Sequence, residues 1–355
     1  MIRALLIFLL AATLPAAPPA AAQEATRDFG RPDQNPIIVR STTDIAVFAP
    51  VIDAYLVRHP TRAVRYEQWG SNTLHEASLR DCAAPPAPQK PPADIVLSSA
   101  VHQMVELVNL GCATPYRSAL TAALPDPLRW RDELWGITRE AAVMIYNRAL
   151  VPPQDIPMTR FALLDLLRPA ASSYAGRVAT YDIEASGLGY LFAFQDSLEA
   201  STFGALLESF GRSRAVATCC SAEIIDGVGD GRYLIAYNVL GSYALAAQDP
   251  RIGIILPQDY TLVLSRALMI PRGALHAKEA EELLDFLLSF EGRAALASVN
   301  LISPDLGADL ADPAISPSAL RPIELNPTLL VARDGLTRSQ FIRRWRDAFP
   351  SLKTK

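Results

Sequence analysis

Short β-rich apolar runs alternate with predicted helices in the first third of the chain, and this alternation restricts the possible folds most strongly. Residues 37–39, 64–69 and 94–99 are predicted strands, and each precedes a segment with helical character. Apolar residues three and four positions apart are typical of a helix with one buried face. The order strand, helix, strand predicts an α/β fold with a mostly parallel, doubly wound sheet.

The same order returns further along the chain. A second strand–helix system is predicted between about residues 148 and 245. At roughly 100–200 residues per domain, a chain of 355 residues is expected to form two domains. The apolar runs that predict strands in the second part are 141–147, 177–182, 215–218, 233–239, 252–256 and 261–270.

The first 22 residues have the pattern of a secretory signal peptide. Arg3 precedes an apolar run at 4–14, and small residues follow up to Ala22. We expect cleavage before Gln23. A membrane anchor is the alternative, but the apolar run is about half of the roughly 20 residues that a spanning helix needs. Because no cysteine precedes Cys82, a lipid-modified N-terminus is not expected, and the mature protein is predicted to be soluble and periplasmic.

Charge and motif content argue against two function classes. The chain has 33 basic and 37 acidic residues, and the basic residues are scattered apart from the run at 343–346, so no nucleic-acid partner is expected. We interpret that run as the polar face of a last helix. The four histidines are dispersed, and no hydrolase, zinc-protease or phosphate-loop motif occurs, so we expect no enzyme activity and no cofactor.

The four cysteines suggest at least one disulfide, because an oxidising compartment permits such bonds. Cys82 and Cys112 bracket one strand–helix unit and are predicted to pair. Cys219 and Cys220 are adjacent, and a bridge between them would be strained, so free thiols and cross-pairing remain open. A metal site is not expected, because neither CxxC spacing nor a nearby histidine supports it. Residues 83–93 hold five prolines and are predicted to form a surface loop.

Small hydroxyl residues and glycine stand where predicted strands give way to helices. In doubly wound sheets, ligands bind beyond the carboxyl ends of strands, at helix N-termini. Unpaired N–H groups and the helix dipole make these positions anion sites. The alternative is that each hydroxyl is simply an N-cap. The candidate ligand-binding residues of this kind are Ser41, Thr42, Thr43, Ser98, Ser99, Ser186, Gly187 and Ser221.

Four segments together resemble the bacterial extracellular solute-binding proteins. Residues 137–147 are similar to the family's first crossing between lobes, and 186–190 to its second-lobe binding loop. Residues 231–238 resemble its tyrosine–asparagine strand, and 267–297 its C-terminal helix signature. The resemblance covers nearly the whole mature chain. Closely similar branches of the family include ferric-ion binders and phosphoglycerate-transport regulatory proteins.

The resemblance implies two doubly wound α/β lobes joined by a two-strand hinge, the type-two periplasmic binding fold. The first lobe is expected to comprise 23–140 plus 250–355, and the second 141–249. The implied activity is delivery of a small-molecule solute to an inner-membrane ABC permease. A sensor accessory that signals to a histidine kinase is one alternative. A ferric-ion binder is another, although Tyr233, Tyr237 and Tyr243 are spread out where that branch has adjacent tyrosines, so no metal is expected.

Within the implied cleft, three further residues are candidates. Arg139 lies in the first crossing, where its guanidinium is suited to a carboxylate or phosphate; an ion pair with Glu140 is the alternative. Tyr181 and Tyr237 are expected to line the cleft, with core packing as the alternative. Trp69 and Trp135 are candidates for an apolar wall of the cleft, again with core packing as the alternative. The expected solute is a small anionic or polar organic molecule, and the protein is expected to be a monomer.

Overall fold

The computed structural model describes residues 23–31, 35–83, 92–169, 172–303 and 319–349. The predicted signal peptide and most of the proline-rich segment 83–93 lie outside these residues. Within the described ranges, no helix has both the length and the apolar character needed to cross a bilayer.

Fourteen strands are present in the described residues. Most of them are four to eight residues long, and most are buried, whereas Gln23–Gly30 is exposed and Arg129–Trp130, Val216–Thr218 and Leu320–Pro322 are at most half-buried. They are β1 (Gln23–Gly30), β2 (Ile37–Ser41), β3 (Ala63–Trp69), β4 (Ile95–Ser98), β5 (Arg129–Trp130), β6 (Leu134–Gly136), β7 (Glu140–Asn147), β8 (Val178–Tyr181), β9 (Val216–Thr218), β10 (Ile235–Leu240), β11 (Ile252–Ile255), β12 (Thr261–Leu264), β13 (Ala267–Met269) and β14 (Leu320–Pro322).

Twelve α-helices occur in the same ranges, with short 3₁₀ helices at Asp126–Leu128, Pro153–Asp155 and Pro327–Arg333. The α-helices are α1 (Ile45–Arg58), α2 (Ser71–Ala83), α3 (Val101–Asn109), α4 (Ala119–Ala122), α5 (Arg160–Leu167), α6 (Gly187–Glu199), α7 (Phe203–Arg212), α8 (Ser221–Gly229), α9 (Gly241–Ala246), α10 (Ala277–Leu288), α11 (Phe290–Ser298) and α12 (Gly335–Ala348).

The strands form two sheets of seven. The first has the order β1-β3-β2-β4-β13-β6-β5, in which β3, β2 and β4 are parallel, as the strand–helix alternation predicts. The second has the order β14-β12-β7-β10-β8-β9, and β11 also pairs with β7. The expected α/β class with two doubly wound parts is confirmed.

The strands β11 and β12 fall in the segment 250–355 that was expected in the first lobe, yet they pair with β7. The lobe boundaries themselves stay a prediction.

Two of the connections between the sheets run side by side, and a third passage, between β13 and β14, leads back to the second sheet. The chain leaves the first sheet after β6 and enters the second at β7, and it returns between β12 and β13. The Ile137 N–H donates to the Arg266 carbonyl at 3.0 Å, and the Arg266 N–H donates to Thr138 Oγ1 at 2.8 Å. The apolar run 261–270, predicted as one strand, is therefore divided at Ser265–Arg266, because the chain changes sheets there.

Each sheet buries the apolar faces of its own helices. Helix α1 places Phe48, Val51, Ile52 and Tyr55 on the first sheet, at the three- and four-residue spacing of one helix face. At the other end of the chain, α12 buries Ile342 and Trp345 and leaves the arginines of the 343–346 run exposed, as predicted for an amphipathic helix.

Two disulfides are present among the described residues. Cys82 and Cys112 are bonded, with their Cα atoms 5.3 Å apart, which ties the end of α2 to the segment after α3. Cys219 and Cys220, whose pairing the sequence leaves open, are bonded to each other immediately before α8.

Candidate functional site

A cleft of about 310 Å³ lies between the two sheets, beside the crossings. The first sheet and its helices provide one wall, the second sheet and its helices provide the other, and Arg266 comes from a crossing. The lining residues are Glu24, Thr42, Asp44, Gln68, Trp69, Gly70, Ser71, Ser99, Tyr181, Ala185, Ser186, Leu188, Cys219, Cys220, Ser221, Ala222, Leu240, Tyr243 and Arg266.

On the first wall, Thr42 follows β2 and Ser99 follows β4. Their side-chain oxygens are 3.1 Å apart, and the Ser99 N–H donates to Thr42 Oγ1 at 3.0 Å. The neighbouring Ser41 and Ser98 are buried and accept the N–H groups of Thr43 and Ala100. Thus Thr42 and Ser99 reach the cleft, whereas Ser41 and Ser98 hold their own turns together.

On the second wall, Ser186 is the N-cap of α6, and its Oγ accepts the Gly189 N–H at 3.0 Å. The next residue is in contact with the opposite wall, because the Gly187 N–H donates to Ser71 Oγ at 2.8 Å. A Cβ atom on Gly187 would lie 2.7 Å from Gln103 Nε2 and 3.0 Å from Ser71 Oγ. Glycine at this position therefore permits the close approach of α6 to α2 and α3.

Helix α8 begins on the same wall, but Ser221 does not cap it as predicted. Cys220 is the N-cap, without a side-chain hydrogen bond, and Ser221 Oγ is instead 2.6 Å from the Tyr181 hydroxyl. As a result, the N–H groups of Ser221, Ala222 and Glu223 have no hydrogen-bond acceptor among the described residues. Unpaired N–H groups at a helix start attract anions, so this end of the cleft favours negative charge.

Arg266 is fully buried and is held by an ion pair. Its Nε and Nη2 donate to the Glu140 carboxylate at 2.8 and 3.1 Å, and its Nη1 donates to Thr43 Oγ1 at 2.9 Å. Burial lowers the pKa of Arg266, but the charge and hydrogen bonds of Glu140, together with the neighbouring tyrosines, outweigh burial and hold that pKa above its ordinary value. Thr43 therefore supports the guanidinium and does not line the cleft.

Asp44, directly after Thr43, brings a half-buried carboxylate into the cleft. Its N–H donates to the Tyr243 hydroxyl at 3.1 Å. Burial raises the pKa of the Asp44 carboxyl above its ordinary value, and the nearby Arg266 charge offsets this only in part. The Glu24 carboxylate also lines the cleft and accepts a hydrogen bond from Gln68 Nε2 at 3.1 Å.

Two further predicted site residues, Arg139 and Tyr237, also do not line the cleft. Arg139 lines a separate cavity of about 480 Å³ together with Arg293. The crossing is extended there, so successive side chains point to opposite sides: Thr138 faces Glu140, and Arg139 faces away from the cleft. Tyr237 is buried in the second core, where its hydroxyl donates to Asp196 and accepts from Arg160 Nε at 2.6 Å.

The remaining aromatic candidates divide between cleft and core. Tyr181 and Trp69 line the cleft, although both are almost fully buried. Trp135 is completely buried in the first core. Of the two tryptophans, Trp69 therefore lines the cleft and Trp135 packs in the core.

Sequence reasoning missed Asp44, Tyr243 and Arg266. Two of these have a signal in the sequence. Asp44 directly follows the hydroxyl residues of the first helix start, and Arg266 is a single charge inside an apolar run. A buried charge needs a partner, but the sequence does not show that the partner is Glu140. Tyr243 has no such local signal.

Two α/β sheets joined by paired crossings, with a cleft between them, define a two-lobed solute-binding protein. The profile of the bacterial extracellular solute-binding proteins matches residues 90–326. The chain belongs to this family, and it is a solute-binding protein of the ABC transporter class.

Solved structures agree with this assignment. The substrate-binding protein of an ABC transporter from Agrobacterium tumefaciens is 31% identical, with a TM-score of 0.84, over 92% of this chain and 98% of that one. Iron-bound HitA from Pseudomonas aeruginosa is 18% identical, with a TM-score of 0.63, over 88% and 98%. AfuA from Actinobacillus pleuropneumoniae, with fructose-6-phosphate bound, is 15% identical, with a TM-score of 0.66, over 89% and 98%. The last two show the shared fold alone. Among curated proteins, no relative matches.

Proposed function

We propose that this protein is the periplasmic component of an ABC importer and captures a small polar organic solute that carries an anionic group. It is exported by the signal peptide at 1–22, acts as a monomer and performs no catalysis. The observation that carries the proposal is the cleft, because both of its walls present polar groups and because α8 offers three unpaired N–H groups to it.

Contacts across the cleft support a mechanism of capture by closure. Ser71 on α2 accepts the Gly187 N–H, and the Asn72 side-chain amide donates to the Glu184 carbonyl at 2.8 Å. These hydrogen bonds join the walls and exist only when the walls are close. A solute that touches both walls stabilises the closed form relative to the open one. The permease then distinguishes loaded from empty protein by shape.

Ferric-ion binding is less well supported. The cleft tyrosines are already hydrogen-bonded, Tyr181 to Ser221 and Tyr243 to Asp44. Burial raises the pKa of Tyr181 to about 12, so the phenolate that iron prefers is disfavoured. The sensor-accessory alternative uses the same capture step and differs only in the membrane partner.

A thermal-shift screen of the mature protein, residues 23–355, tests the proposal. Carboxylates, phosphate esters, polyamines, sugars and ferric salts form the panel, since a ligand that binds the folded state raises the melting temperature. We expect a rise with solutes that carry an anionic group. No rise with any member of the panel, at concentrations up to the millimolar range, would contradict a solute-capture role for this cleft.

Matched variants then locate the bound solute. Ser221→Pro removes an N–H group of α8, and proline is accepted at the first helical position after the extended Cys220. Ser221→Ala removes only the hydroxyl. We expect the proline variant to bind about 10-fold more weakly than the alanine variant. Arg139→Ala serves as the control outside the cleft and should bind normally.

A further inference from the structure

The charges on the cleft lining do not fit a purely anionic solute. Two carboxylates, Glu24 and Asp44, line the cleft, and Arg266 is the one cationic side chain among the described lining residues. A solute with negative charge alone would be repelled by both carboxylates at short range.

Arg266 offsets these two carboxylates only in part, because it is already paired with Glu140. The guanidinium makes two hydrogen bonds to Glu140 and one to Thr43, and both members of the ion pair are essentially inaccessible to water. The pair as a whole contributes little net charge to the cleft. The Asp44 carboxylate has no ion-pair partner within hydrogen-bond distance among the described residues; its contact is a 3.4 Å hydrogen bond from the Tyr243 hydroxyl.

The opposite wall has the opposite polarity. The unpaired N–H groups of Ser221, Ala222 and Glu223 mark the positive end of α8. Asp44 belongs to the first wall and α8 to the second. The cleft therefore presents a site for positive charge on one wall and a site for negative charge on the other.

We infer that the solute is a small zwitterion, with an ammonium group bound by the Asp44 carboxylate beside Glu24 and a carboxylate or phosphate group bound at the start of α8. This inference rests on the proposed function and adds the chemical class of the solute. Such a molecule bridges the two walls with complementary charges at both ends. A cleft of about 310 Å³ is at the small end of ligand sites and suits a compact molecule.

Burial of Asp44 is consistent with this assignment. Burial raises the pKa of the Asp44 carboxyl, because the side chains around it solvate its charge poorly. An ammonium group would provide the missing counter-charge and restore the ionised form. An anionic solute would raise that pKa further.

Isothermal titration calorimetry with matched ligands tests the inference. Each probe set has one carbon skeleton in three forms: the zwitterion, its analogue without the amine and its analogue without the acid. β-Alanine with propionate and propylamine is one set, and 2-aminoethyl phosphate with ethyl phosphate and ethylamine is another. We expect one zwitterion to bind at least about 10-fold more tightly than both of its analogues, because each loses a hydrogen bond to a charged group.

Asp44→Asn is the decisive variant, because it keeps the shape and the helix start but removes the charge. We expect it to bind the zwitterion about 10- to 100-fold more weakly and to leave the affinity for the amine-free analogue unchanged or higher. Asp53→Asn, on the exposed side of the same helix, should behave like the parent protein. Glu24→Gln gives a second test if the Asp44 variant does not fold.

The outcomes separate the two proposals. Equal affinity for a zwitterion and its amine-free analogue, unchanged by Asp44→Asn, would overturn the zwitterion while leaving the capture of an anionic solute in place. Preferential binding of a sugar or of ferric ion would also overturn it. If no solute of any class binds, the proposed function itself is wrong, and the zwitterion inference is overturned with it.

Discussion

Loss of the Glu140 carboxylate is predicted to destabilise the protein strongly, because Arg266 would then be a buried charge without a counter-ion. The two side chains are 0% and 1% exposed. Glu140 accepts four hydrogen bonds, two from Arg266, one from Thr138 and one from Ser242. Removing one partner of a buried ion pair typically costs about 3–5 kcal/mol. Against a total stability of about 5–15 kcal/mol, Glu140→Gln removes a large fraction.

A double substitution distinguishes the ion pair from simple packing. Glu140→Leu with Arg266→Met removes both charges and keeps apolar bulk, and such replacements are often neutral or stabilising. We expect the free energy of unfolding of the double variant to be at least about 2 kcal/mol higher than the value obtained by adding the effects of Glu140→Leu and Arg266→Met. As a surface control, Glu291→Gln breaks the exposed pair with Arg58 and should change stability by no more than about 0.5 kcal/mol.

Equilibrium urea unfolding, followed by both circular dichroism and tryptophan fluorescence, measures these differences. The two signals must coincide for a two-state free energy to apply, since a two-lobed protein can unfold in steps. A cost below about 1 kcal/mol for Glu140→Gln, or single-variant effects that add in the double variant, would refute the reasoning.

Three further predictions follow from other contacts. Replacing Cys82 and Cys112 by alanine should lower stability by about 3.5 kcal/mol, because the bond closes a loop with a sequence separation of 30; equilibrium unfolding in urea measures it. At pH values above the raised pKa of Asp44, the Asp44→Asn variant should melt at a higher temperature than the parent protein, since the folded state disfavours the ionised carboxyl. At pH values below the ordinary pKa of 3.8, the two proteins should melt at the same temperature. A melting series from pH 3 to pH 8 in which the difference between them does not change with pH would contradict this. Gly187→Ala should favour an open cleft, because its Cβ meets Gln103 Nε2 and Ser71 Oγ; an unchanged radius of gyration and solute affinity would count against that role.

Periodicity was sufficient for the strand–helix order of the parallel part of the first sheet, because that order depends on neighbours along the chain. The strand–helix order of the first sheet and the N-cap role of Ser186 are local features, and both are present. The cleft depends instead on which side of an extended segment each residue faces. Arg139 lies in a crossing beside the cleft but lines a separate cavity, and a local pattern does not indicate which of the two it faces.

The charges of the cleft depend on contacts between distant parts of the sequence. Arg266 meets a glutamate that precedes it by 126 positions, and Tyr243 meets Asp44 across 199 positions. Arg266 has no evident ion-pair partner in the sequence, but Glu140 neutralises it in the fold. The sequence therefore indicates which strand ends lie near the cleft, but it does not indicate that two carboxylates, Glu24 and Asp44, line that cleft.

The late placement of β13 in the chain constrains how the protein is made. This strand lies between β4 and β6, so the first sheet stays in two pieces until residues 267–269 have been synthesised. The second sheet likewise waits for β14, and α12 packs on α7 only after residue 335. Neither half is complete before the ribosome has nearly finished. A truncation that removes about the last 90 residues would therefore leave two unfinished sheets, not one intact half.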